Sequence, residues 1–190
     1  GFDTYQKLLG EAVDELKKNE FKDLYADQRG GWDPKERECQ LDTDLELLLP
    51  DQYINFVEER LRIYRELNDL KEEAQLQTYV AGLVDRFGAL PPQAERLMTS
   101  LRLRWLGQSL GFDKMVLKAG KLLCYFPEEA HEAPPQEVLM NFLAKIQAFP
   151  QRYRMKQKGP RISLVVDHIP TVQDAFVTLT ELSSAPKIAP

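Results

Sequence analysis

The side chains that could do chemistry are few and dispersed. His131 and His168 are the two histidines, and Cys39 and Cys124 the two cysteines. A protein metal site needs several convergent ligands, and neither HExxH nor CxxC spacing occurs. His131, between Ala130 and Glu132, reads as a solvated loop residue, and His168, after Asp167, as a turn residue at a strand end. Both cysteines fall in alternating stretches, where a thiol behaves as a small buried hydrophobe. No serine stands in GxSxG, and Gly30-Gly31 is not followed by the Lys-Ser/Thr of a phosphate loop. Asp42, Asp44 and Glu46 alternate as a solvated strand face would, without the spacing of a calcium loop. The sequence therefore assigns no catalytic residue, no metal site and no cofactor.

One charged feature is ordered. Arg152, Arg154, Lys156 and Lys158 recur at period two, which puts them on one face of a strand. Arg161 follows across a Gly159-Pro160 turn, and Tyr153 and Met155 take the other face. Such a stripe protects an edge strand from aggregation, meets an acidic protein surface, or contacts nucleic-acid phosphates. The formal net charge of −5 argues against a whole-surface grip on nucleic acid.

The elements that carry these residues follow from periodicity. Apolar residues make up 43% of the 190 and charged residues 29%, the balance of one globular domain with a small appendage. Phe2, Tyr5, Leu9, Ala12 and Leu16 form an amphipathic helix over 1–18, followed by a charged, glycine-containing linker over 19–36. A strand is expected over 37–49, then a helix entered from Pro50-Asp51 with Tyr53, Phe56, Val57, Leu61, Tyr64 and Leu67 on its apolar face, and Glu58 paired with Arg62. A second helix ends at Gly88, a third runs from Pro91 to Gly111, and their short connection makes them antiparallel neighbours. Hairpins are expected at Ala119-Gly120 and Gly159-Pro160, separated by a helix after Pro135. A last helix is capped by Thr171 with Asp174, and a frayed tail covers 184–190. The fold class is α+β: a helical core with small antiparallel hairpin and sheet elements. No apolar run is long enough to span a membrane, and cysteine usage fits a reducing cytoplasm. The start at Gly1, with no initiator Met, reads as an excised piece of a larger protein.

Short motifs in fixed order add a family resemblance. Gly1-Phe2-Asp3-Thr4-Tyr5, with Glu11-Ala12-Val13, is similar to the segment after the helicase core of bacterial transcription-repair coupling factors. Pro50-Asp51-Gln52-Tyr53-Ile54, leading to Arg60-Leu61 and Tyr64-Arg65, resembles the start of that family's C-terminal domain. Asp85-Arg86-Phe87-Gly88 and Leu90-Pro91 resemble its next signature, and Leu110-Gly111 before a hairpin agrees. The resemblance implies that 37–183 is the C-terminal regulatory domain. It would be an autoinhibitory element that docks on an N-terminal UvrB-like domain and masks a UvrA-binding surface. The parent would be an ATP- and Mg-dependent double-stranded DNA translocase that acts on RNA polymerase. Pro50, Tyr53, Arg60, Tyr64, Asp85, Arg86, Phe87, Gly88, Pro91 and Gly111 would then be fold determinants. Arg152, Arg154, Lys156, Lys158 and Arg161 would be the candidate interaction surface. The alternative is an accessory domain that contacts DNA or RNA polymerase through the basic strand.

Overall fold

Where β-branched and aliphatic residues alternate the chain forms strands, and where apolar residues recur at three and four it forms helices. The computed structural model of the chain describes residues 38–128 and 136–184, all within one unit spanning Arg37–Pro190. The helix expected over 1–18, the linker 19–36, His131 and the tail beyond Ser184 lie outside the described residues. The described elements are β1 (Gln40–Thr43), α1 (Val57–Asp69), α2 (Glu73–Phe87), α3 (Pro92–Ser109), β2 (Lys114–Lys118), β3 (Lys121–Tyr125), α4 (Gln136–Ala148), β4 (Tyr153–Lys158), β5 (Arg161–Val166) and α5 (Val172–Ser183).

The strands form one sheet in the order β1-β2-β3-β5-β4. The β2–β3 and β4–β5 pairs are the two expected hairpins, and β3 pairs antiparallel with β5. Ala119 and Gly120 have φ of 51° and 71°, the positive pair that a tight hairpin turn requires. The sheet is not all antiparallel, because β1 runs parallel to β2 with Leu41 opposite Met115. The expected strand over 37–49 is regular over four residues.

Helix α1 starts later than the sequence indicates. Tyr53 and Ile54 both donate backbone N–H bonds to the Pro50 carbonyl, so Pro50–Ile54 is a turn and the helical residues begin at Val57. Ile54 is 1% exposed and anchors that turn in the core. Helix α3 likewise has Pro91 as its cap residue and Pro92 at its first position, where a missing N–H costs nothing. Arg62 pairs with Glu59 and, at 3.9 Å, with Glu66, rather than with Glu58. The Thr171 cap is present: its hydroxyl accepts from the Asp174 N–H at 3.1 Å and donates to the Asp174 carboxylate at 2.6 Å.

Two apolar clusters result. The first packs α3, α4 and α5 on one sheet face, with Met115, Leu117, Leu122, Cys124, Leu164 and Val166 fully buried. Phe112, Phe126 and Phe142 close it, with ring centroids 4.8–6.1 Å apart. The second lies among α1, α2 and the first half of α3, around Ile63, Leu67, Leu76, Leu83 and Met98. Helix α3 serves both, giving Ala94, Met98 and Leu101 to the helical cluster and Leu103, with Leu110 just past its end, to the sheet. Among the described residues no helix is long and apolar enough to cross a membrane.

Candidate functional site

The motif residues of the first half meet in one clasp. The Arg60 guanidinium is 2% exposed and donates to the carbonyls of Ile54, at 2.5 Å, and Asn55, at 3.1 Å. A buried cation satisfied by backbone carbonyls holds the Pro50–Asn55 turn against α1. The Leu49 N–H donates to the Tyr64 hydroxyl at 2.7 Å, fixing the chain just before Pro50, and burial raises the Tyr64 pKa. Tyr53 donates to the Gly88 carbonyl at 2.8 Å and meets the Phe87 ring edge-on at 5.9 Å. Gly88 has φ of 85°, the left-handed region that glycine enters without strain. Arg86 lies over the Phe87 ring and pairs with Glu59 at 2.7 Å. Gly111, at φ 90°, turns the chain after α3. Asp85 is exposed beside this clasp.

Next to the clasp is a groove of about 600 Å³ between α1 and α2, lined among others by Glu66, Leu70, Thr78, Tyr79, Gly82 and Arg86. Its floor is apolar and its rim charged. Tyr79 donates to Glu66 at 2.5 Å, and burial, together with that neighbouring carboxylate, raises its pKa. Nothing lies within 4 Å of where a Gly82 side chain would begin, so the helix leaves this stretch of groove open.

The basic strand is less uniform than its period implies. Arg152 precedes β4 and donates to Thr178 on α5 at 3.2 Å, so it leaves the stripe. Arg154 makes two bonds to Asp167, at 2.9 and 3.2 Å. Arg161 pairs with Asp113 at 2.8 Å, approaches Glu128 at 3.8 Å and lies 4.9 Å from the Tyr125 ring centroid. Lys156 and Lys158 are exposed and carry no ion pair among the described residues.

No group of His, Cys, Asp and Glu among the described residues is placed to hold a metal. Burial pushes the Cys39 thiol up to about 12 and the Cys124 thiol well above its ordinary value, so neither offers a thiolate nucleophile near neutral pH. His168 has φ of 62° and forms the turn after β5. The groove was invisible to sequence reasoning. The exposed Gly82 within an otherwise regular helix was its one signal, because an open helix surface tolerates a missing side chain.

Comparison with known proteins agrees with the family resemblance. A family model described as the TRCF domain matches residues 43–137, half of the chain. The transcription-repair-coupling factor of Escherichia coli (strain K12) is 32% identical over 168 residues, covering 88% of this chain and 13% of the relative. That of Haemophilus influenzae is 30% identical over 166 residues, covering 84% and 12%. The chain thus spans a small part of these relatives' length. A crystal structure of the C-terminal domain of transcription-repair coupling factor shares the fold, with a TM-score of 0.58 at 15% identity, covering 78% of this chain and 96% of that one. The family match, these relatives and the shared fold together show that the chain belongs to the transcription-repair coupling factor family as its C-terminal, TRCF domain.

Proposed function

We propose that the chain is an autoinhibitory docking domain: through the α1–α2 groove it binds the N-terminal UvrB-like domain of its parent and covers the surface that recruits UvrA. The observation that supports this most is the groove itself, an open apolar trough with a charged rim of Glu66, Glu72 and Arg86. Such a shape suits a partner side chain better than a small substrate, which needs enclosure and convergent polar groups. ATP hydrolysis and duplex translocation, with ATP and Mg, belong on this reading to the parent's motor. The domain's work is to bias a conformational equilibrium, and its effect is bounded by the difference in contact energy between docked and released states.

The test is titration of the chain with the separately produced UvrB-like domain, followed by UvrA capture on the parent. An added Cβ at Gly82 meets nothing within 4 Å, so Gly82→Trp can place its ring in the trough. It should weaken docking by about tenfold or more and raise UvrA capture by the parent. Unchanged docking and UvrA capture in Gly82→Trp would remove the groove from this role. Capture by the full-length parent matters, because a tethered contact persists at affinities too weak to see between separate pieces.

A further inference from the structure

The sheet has a second face, turned away from α3, α4 and α5. Strand register gives its layout. One row across it is Lys156, Ser163, Tyr125 and Lys114, and the next is Arg154, Val165, Leu123 and Val116. Lys158 and Arg161 stand opposite each other at the hairpin end, and Lys118 and Lys121 at the end of the β2–β3 hairpin. Val165 and Ser163 at its centre are buried, and beside them Val116 and Leu123 form a half-buried aliphatic strip, continued by Tyr125 and bordered by cations.

That border is electrostatically unfinished. Like charges directly opposite on paired strands repel, and Lys158–Arg161 is such a pair. Lys114, Lys156 and Lys158 have no acidic partner among the described residues. The Nε of Arg161 is buried with no hydrogen-bond partner among them, although the other guanidinium nitrogens reach Asp113 and Glu128. A solvated protective edge would need lysines on β4 alone. Here unpaired cations lie on both sides of the apolar strip, on β2 as well as β4.

We infer that this face docks an acidic, amphipathic segment of a protein partner, with its apolar residues on Val116 and Leu123 and its carboxylates on Lys114, Lys156 and Lys158. The same face argues against a polynucleotide. Asp42, Asp167, Asp113 and Glu128 on and beside it already engage Lys118, Arg154 and Arg161, so the free cations are a few separated lysines and not the continuous track that a phosphate backbone follows. Its aromatic ring, Tyr125, is already covered by Arg161, so it offers bases little to stack on. The surface is distinct from the α1–α2 groove, and the inference does not rest on the docking proposed above.

The test uses the 190-residue chain and fluorescence anisotropy. The probes are a labelled helical peptide of Leu at three- and four-residue spacing with Glu elsewhere, the same peptide with Lys for Glu, a single-stranded DNA and a duplex. The Glu peptide should bind, and more weakly as salt rises through the screening range. Lys156→Glu with Lys158→Glu should weaken it about tenfold or more, while Arg65→Glu on α1 leaves it unchanged. Leu123→Ser, checked for folding by its thermal melt, should also weaken it. Absence of Glu-peptide binding, or binding indifferent to the paired lysine reversal, overturns the inference. So does preferential binding of either DNA, lost in the same variant, which would mark a nucleic-acid face.

Discussion

Arg60 carries more of this domain's architecture than its single charge suggests. Its guanidinium is buried against two carbonyls, and an apolar replacement would strand both acceptors. Arg60→Met should therefore lower stability by about 2–3 kcal/mol in urea unfolding, the scale of charge-assisted hydrogen bonds lost from a buried site. Tyr53→Phe keeps the ring contact with Phe87 and loses the bond to Gly88, and should cost about 1 kcal/mol. Gly88→Ala meets no neighbour but forces a Cβ into the left-handed region, for a loss of about 1 kcal/mol. An unchanged unfolding midpoint in any of the three would show that the clasp does not hold the turn. The positive φ at Gly88 was readable from sequence because it depends on the local chain. The burial of Arg60 was not, because its partners are carbonyls aimed by a turn that α1 and the core create together.

At the scale of elements, two glycines in neighbouring helices separate propensity from packing. Gly82 on α2 faces open space, so Gly82→Ala should stabilise by up to about 1 kcal/mol through helix propensity. Gly107 lies where α3 passes close to the sheet, and an added Cβ would sit 2.7 Å from Met115 Cε and 3.1 Å from Cys39 Sγ. The Met115 thioether can swing, but Cys39 is buried immediately before β1, where Gln40 pairs with Lys114, so Gly107→Ala should fall below Gly82→Ala by about 1 kcal/mol or more in the same unfolding assay. Ion pairs link the helices: Glu59 of α1 to Arg86 of α2, and Glu73 of α2 to Arg102 of α3. The hydrogen bond from Arg86 holds Glu59 below the ordinary glutamate value of 4.5, and that from Arg102 does the same for Glu73. A carboxylate with a depressed folded pKa stabilises above its unfolded value, and the contribution is lost as pH falls through the folded one. Unfolding free energy should thus decline below about pH 4.5, and Glu59→Gln with Glu73→Gln should flatten that decline. Hairpins and the Thr171 cap were legible because their signals span a few residues. The parallel β1–β2 pairing was not, since it joins segments more than seventy residues apart in the chain, and nothing local in Gln40–Thr43 distinguishes parallel from antiparallel.

For the whole molecule, the division of the core decides what can act independently. The α1–α2 groove rests on the helical cluster and the basic face on the sheet, and α3 is the one described helix that contributes to both, beside the segment from Cys39 to Leu49. Surface changes at sites with no shared neighbours add, within a few tenths of a kcal/mol. Gly82→Trp should therefore weaken binding of the UvrB-like domain and leave the Glu peptide untouched, and Lys156→Glu with Lys158→Glu should do the reverse. The combined variant should lose both, each by the same factor as alone. Coupling between the two losses would require α3 to shift as a rigid body, which the tight approach at Gly107 would transmit from the sheet to Met98 and Ala94. Gly107→Leu is the variant that probes this path. It overpacks the α3–sheet contact, and if α3 transmits, groove binding weakens although no groove residue has changed. If groove affinity holds while the thermal midpoint falls, the two surfaces are separate devices on one scaffold.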